Sequence, residues 1–187
     1  MKKLILPIFL LISITGFAQK ESNEKKAVNF YGSIFGLYEA KHSKFGGGLQ
    51  LGVAPIKELG LGGGVQFFQL GGIPPGNKSG TDVFGEVRFF APTKNIHPSI
   101  AFQIGTFIYN HEIASSNGGT GSTITIKGKQ SIGGNINFCF SKRPDRRGFS
   151  LGYTYRSISL RTTLNTNTVT VLDGTVQAHI VTIGYNF

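Results

Sequence analysis

The residues that could do chemistry are few. His111 and Glu112 lie close to Ser115 and Ser116, and a serine hydrolase needs a serine, a histidine and a carboxylate that converge. Neighbours on an extended strand point to opposite faces, however, so His111 and Glu112 point apart. His42, His97 and His179 are scattered, without the spacing of a metal site. The single cysteine, Cys139, leaves neither a disulfide framework nor a multi-cysteine metal centre. The glycine runs Gly46–Gly48 and Gly62–Gly64 lack the strand-to-helix context of a phosphate loop. The expectation is a protein that is not an enzyme, with no catalytic residue, metal or cofactor. Charge supplies the remaining candidates. Glu86, Arg88 and Arg156 recur opposite apolar positions, and Lys142, Arg143, Arg146 and Arg147 crowd one short turn.

What these side chains do depends on the elements that carry them. The chain has 187 residues, of which 15% are charged, with 27 glycines and no tryptophan. An average soluble domain carries roughly 25% charged residues. The first residues read as a signal peptide over 1–18. Lys2 and Lys3 precede the apolar run Leu4–Ile14, and Gly16-Phe17-Ala18 supplies small residues for cleavage before Gln19. Residues 19–27 are charged and aperiodic, a flexible lead-in. The formal charge is +10, and two of the cations leave with the leader. The remaining lysines and arginines gather at turns without a nucleic-acid motif, so no nucleic-acid partner is expected.

From residue 28 onward the theme is period-two alternation broken by turn residues. Eight segments follow: 28–38, 45–54, 59–70, 81–91, 98–110, 123–140, 148–162 and 175–187. In the fourth, Val83, Val87 and Phe89 oppose Asp82, Glu86 and Arg88; in the fifth, Ile100, Phe102, Ile104 and Ile108 oppose Ser99, Ala101, Gln103 and Gly105. Connections 55–58, 92–97 and 141–147 are short, while 71–80, 111–122 and 164–174 are longer and polar. The first connection, 39–44, is also short, so the pattern is imperfect, but a barrel spanning an outer membrane alternates short turns with longer loops in this way.

The polar face decides which side looks out. It is mostly Gly, Gln, Asn, Ser and Ala, which suits the crowded interior of a small barrel. The Leu, Ile, Val and Phe face then meets lipid, and closure pairs every backbone group. The expectation is an all-β fold, an eight-stranded antiparallel up-and-down transmembrane β-barrel over residues 28–187, in the outer membrane. Inside it, Glu86, Arg88 and Arg156 form a charge network with two readings: a gate or selectivity ring, or structural packing that fills the lumen. Phe68, Phe84 and Phe90 share the interior parity and favour the second. Cys139 reads as a small interior filler.

The chain closes on Val181, Ile183, Tyr185 and Phe187, alternate apolar residues ending in a phenylalanine. This pattern resembles the assembly signal that outer-membrane barrels present to the barrel-assembly machinery. On that pattern and the eight segments, residues 28–187 resemble the small eight-stranded outer-membrane barrels of the OmpA/OmpX type. The resemblance implies a structural, envelope-integrity or loop-mediated adhesion role, with a narrow passive pore, a lipid-modifying enzyme or a secretion and biogenesis factor as alternatives. It also implies outer-membrane lipids and the assembly machinery as partners, with a protein partner possible at the outer loops. Without tryptophan, an aromatic girdle must use tyrosine and phenylalanine, such as Tyr31, Tyr38, Tyr109, Tyr153 and Tyr185. Ile124, Ile126 and the stretch to Arg161 exceed a membrane span and read equally as a projecting ribbon open to strand addition or as a disordered loop. The basic turn Lys142–Arg147 faces lipid head groups, an acidic partner or simply solvent.

Overall fold

The computed structural model describes residues 29–69, 79–91, 93–115, 122–141, 146–165 and 169–187. The leader, the lead-in, Ser116, Lys142 and Arg143 lie outside the described residues. Among the described residues nine strands form one sheet: β1 (Asn29–Glu39), β2 (Lys44–Ile56), β3 (Leu59–Gln69), β4 (Ser79–Phe90), β5 (Ile96–Ile108), β6 (Asn110–Ser115), β7 (Ser122–Phe140), β8 (Gly148–Asn165) and β9 (Val169–Asn186). Each pairs antiparallel with its neighbour, β1 pairs with β9, and β5 and β6 both pair with β7. β5 and β6 are thus two halves of one stave interrupted at Tyr109. The result is a closed, eight-stave up-and-down barrel.

Closure follows from the glycines as much as from the apolar pattern. On β2 and β3 the inward positions include Gly52, Gly60 and Gly62, and the Tyr31 ring fills the space that their missing side chains leave. A Cβ at Gly60 would sit 2.7 Å from that ring. The outer surface is apolar. Phe30, Ile34, Phe45, Phe67, Ile100, Phe102, Ile104, Ile132, Phe149 and Ile183 all point outward and are exposed. Soluble monomers rarely leave so continuous an apolar band uncovered.

The ends of the barrel differ. Asn29, Asn186 and residues 57–58, 93–95, 141 and 146–147 share one end. At the other, β9 pairs with β1 only from Ile180 to Asn186, while its pairing with β8 runs back to Val169. β6, β7, β8 and β9 therefore continue beyond β1–β4 as a four-stranded ribbon. The polarity inverts there. Ile124, Val176 and Ile113 face inward and pack on a buried cluster of Phe68, Phe107, Tyr109, Ile126, Ile158 and Leu160. Cross-strand pairs place Lys127 beside Arg161 and Arg161 beside Asp173 on the outward face. A register shift in β7 between Gly128 and Ser131 allows both Ile126 and Ser131 to face in.

Three expectations need correction. Residues 164–174 are not a long loop: β8 and β9 run through nearly all of them. Tyr31 and Tyr109 face the interior, Tyr109 at 6% exposure, and do not join an outer girdle. Tyr38, Tyr153 and Tyr185 do point outward. Ile126 is buried, and β7 is paired on both sides, so the ribbon's open edges belong to β6 and β9. An aromatic ring with a hydroxyl suits a polar lumen as well as an interface, and alternation alone does not separate the two.

The lumen as candidate functional site

Two buried charge networks occupy the middle of the barrel. The lower one centres on Glu86, from β4. Its Oε1 accepts hydrogen bonds from the Tyr31 hydroxyl at 3.1 Å, Gln50 Nε2 at 2.8 Å and Arg88 Nε at 3.0 Å. Its Oε2 accepts from Arg88 Nη2 at 3.1 Å and Gln103 Nε2 at 2.8 Å. Arg88 is spent as well: Nη1 donates to Ser99 Oγ at 3.0 Å and Nη2 to Gln50 Oε1 at 3.1 Å. Five hydrogen bonds converge on this buried carboxylate, and the paired arginine supplies its counter-charge.

The upper network centres on Asp82, two inward positions along the same strand. Its Oδ1 accepts from Ser131 Oγ at 2.5 Å and its Oδ2 from Gln66 Nε2 at 2.9 Å. Arg156, fully buried on β8, reaches across the lumen to place Nη2 3.1 Å from Oδ2. This is a close charge contact without hydrogen-bond alignment, since none of the guanidinium nitrogens meets hydrogen-bond geometry with the described residues. The guanidinium carbon lies 4.6 Å from the centroid of the Phe84 ring, so the π-face takes part of the charge. Glu86, Arg88 and Arg156 are therefore all inside, but in two separate pairs. Asp82, Gln50, Gln66, Gln103 and Ser131 complete those pairs. Sequence reading left them out although their parity was the same.

Little space remains. A polar cavity of about 30 Å³ lies among Gln50, Gln66, Arg88, Gln103, Asn135 and Asn137. That volume accommodates one or two waters. Gln103 Oε1 and Asn135 Oδ1 are buried there without a protein donor. Above, the Phe68 ring lies 5.5 Å from Phe107, which stacks 5.9 Å from Tyr109, and these rings close the far end of the lumen.

The other candidates fall elsewhere. His111 is buried and Glu112 is exposed on the opposite face of β6, so the two do not converge. His42 caps the β1–β2 turn, 3.0 Å from the buried Glu39. His179 Nδ1 lies 2.6 Å from the Tyr153 hydroxyl on the outer wall. Among the described residues no group of three metal-ligating side chains occurs. Cys139 is buried and donates to the Arg146 carbonyl. In the basic turn, the Arg146 guanidinium lies 4.2 Å from the Phe90 ring centroid and donates to the Lys57 carbonyl at 2.6 Å. Burial holds its pKa below the ordinary arginine value. On the ribbon, Asp173 accepts from Lys129 Nζ at 3.2 Å and Arg161 Nε at 3.1 Å. The hydrogen bond from Arg161, then that from Lys129, holds its pKa below the usual aspartate value. Val181, Ile183, Tyr185 and Phe187 line up on the outer wall of β9.

No protein-family model matches the chain, and no curated protein matches it. Solved structures do share its fold. The crystal structure of Neisserial surface protein A superposes with a TM-score of 0.51 at 13% identity, covering 86% of this chain and 98% of the other. The outer membrane protein OprG from Pseudomonas aeruginosa superposes with a TM-score of 0.56 at 13% identity, covering 87% and 97%. In fold, the chain is a closed eight-stave up-and-down β-barrel similar to these small outer-membrane proteins, as its resemblance to the OmpA/OmpX type implied.

Proposed function

We propose that this protein is a non-enzymatic, non-conducting barrel of the bacterial outer membrane whose role is structural or interactive. The observation that carries this reading is the filled lumen. The Phe68–Phe107–Tyr109 rings and the two ion pairs lie in series along the axis, and the polar gap beside the ion pairs is about 30 Å³. A hydrated ion has no continuous path through such packing. The exposed apolar band supports the membrane location, with lipid tails as its contact. Val181, Ile183, Tyr185 and Phe187 are offered to the assembly machinery as the closing strand. The ribbon, polar outside and open along β6 and β9, is the surface for a protein partner.

Single-channel recording of the refolded exported chain in a planar bilayer tests the reading. A barrel that shifts its gel migration on boiling yet passes no current is the expected result. Stable, reproducible conductance would overturn it and put the pore reading first.

A further inference from the structure

The barrel end that carries Asn29 and Asn186 holds a second, larger cavity of about 750 Å³. The charged side chains that line its wall are cationic, although Glu58 acts on Arg146 at the rim and Glu86 pairs with Arg88 at the floor. Lys57 comes from the β2–β3 turn, Lys94 from the β4–β5 turn, and Arg146 and Arg147 from the β7–β8 turn; Arg88 and His97 lie deeper. Among the described residues no aspartate or glutamate side chain lines it. Arg88 also borders the small polar cavity above, so the Glu86–Arg88 pair forms the floor.

The rim is tied together across turns that are distant in sequence. Arg146 Nη2 donates to the Lys57 carbonyl at 2.6 Å, and the Ser141 backbone N–H donates to the Asn95 carbonyl at 3.1 Å. Ser141 Oγ donates to the Arg147 carbonyl at 2.5 Å, and His97 Nε2 lies 3.2 Å from the Ser141 carbonyl. The site is thus assembled before any ligand arrives, which reduces the ordering cost of binding. Like charges around a concave mouth with low-dielectric walls focus the field and concentrate counter-ions. Ser33, Ser99 and Asn137 add neutral polar groups to the wall.

We propose that this vestibule binds a small multivalent oxyanion of the phosphate class. A soluble phosphoester and a phospholipid head group share that chemistry. The site goes beyond the structural role proposed above and rests only on the barrel fold, so a conducting barrel would leave it standing.

Pyrophosphate is the probe, titrated at low salt into the refolded exported chain in zwitterionic micelles and followed by backbone amide shifts. Saturable binding is expected, with the shifts confined to residues 57–58, 93–97 and 146–147. The pair Lys57→Glu and Lys94→Glu reverses two exposed rim charges and should weaken binding about tenfold, or about 1.4 kcal/mol. Lys127→Glu with Lys129→Glu, at the opposite end, should leave it unchanged. A preserved gel shift on boiling confirms that each variant folds. Repeating the titration in bicelles containing phosphatidylglycerol separates the sources. Loss of pyrophosphate binding there identifies head groups as the occupant, and retention identifies a soluble phosphoester. Absence of saturable binding by the unaltered chain, or equal binding by the rim-reversal variant, overturns the proposal.

Discussion

At the residue scale, Arg156 and Asp82 carry the highest stakes, because both are fully buried and each is the other's counter-charge. Replacing Arg156 by Ala leaves the Asp82 carboxylate held only by Gln66 and Ser131. Urea unfolding in micelles should show a loss of about 3–5 kcal/mol, the usual result of orphaning one member of a buried pair. Removing both charges in Asp82→Asn with Arg156→Met should be less damaging than Arg156→Ala. Equal or greater damage would mean that the pair is not coupled across the lumen. Alternation made the inward position of Arg156 legible but not its partner. Arg156 lies on β8 and Asp82 on β4, and only the closed barrel brings them face to face. A second residue-scale prediction concerns Gly52, where any side chain meets the Tyr31 ring that donates to Glu86. Gly52→Ala should cost about 1–3 kcal/mol by overpacking. Gly174→Ala, with open space around it, should be neutral or slightly stabilising in the same assay.

At the element scale, the ribbon of β6, β7, β8 and β9 is where sequence reading stopped short. Period-two alternation with an apolar outward face marks a strand against lipid, and the strands of the belt were legible for that reason. Beyond the belt the outward face carries Lys127, Arg161 and Asp173, and Leu172 and Thr170 share the other face. Mixed polarity of this kind reads as a loop, although the ladder continues to Asn165 paired with Val169. The outward face of the ribbon is stitched by Asp173 between Lys129 of β7 and Arg161 of β8. Because its pKa lies below that of an unfolded aspartate, the carboxylate favours the folded ribbon at every pH above the unfolded value of about 3.9. That contribution fades as pH falls from there through the folded value, and no change is expected between pH 5 and 8. The protection of amides 169–178, corrected for the intrinsic pH dependence of exchange, should therefore fall only below about pH 4, and Asp173→Asn should abolish that acid step. An acid step that survives in the variant would assign it to another group.

At the scale of the whole molecule, the barrel depends on one seam, where the last strand meets the first. β9 closes on β1 from Ser33 paired with Asn186 to Glu39 paired with Ile180, the shortest run of pairing among the full staves. Beyond it, Gly32 and Phe187 exchange backbone hydrogen bonds of 3.0 and 2.9 Å. The Phe187 ring lies over Gly32 so closely that a Cβ there would sit 2.6 Å from it, and Leu51 crowds the same point. The terminal phenylalanine therefore has a receptor in the fold itself, apart from any part it plays in assembly. Alternation alone placed Phe187 on the outer wall and could not reveal this seat, because the partner is a glycine on the opposite end of the chain. Phe187→Ala and Gly32→Val should each slow the appearance of the heat-modifiable band when the chain folds into lipid vesicles. Each should also lower stability by about 1 kcal/mol, the loss of one half-exposed aromatic contact. Since both substitutions remove the same contact, the double variant should be little worse than either single one. Additive losses would instead mean that Phe187 acts away from the seam, through lipid alone.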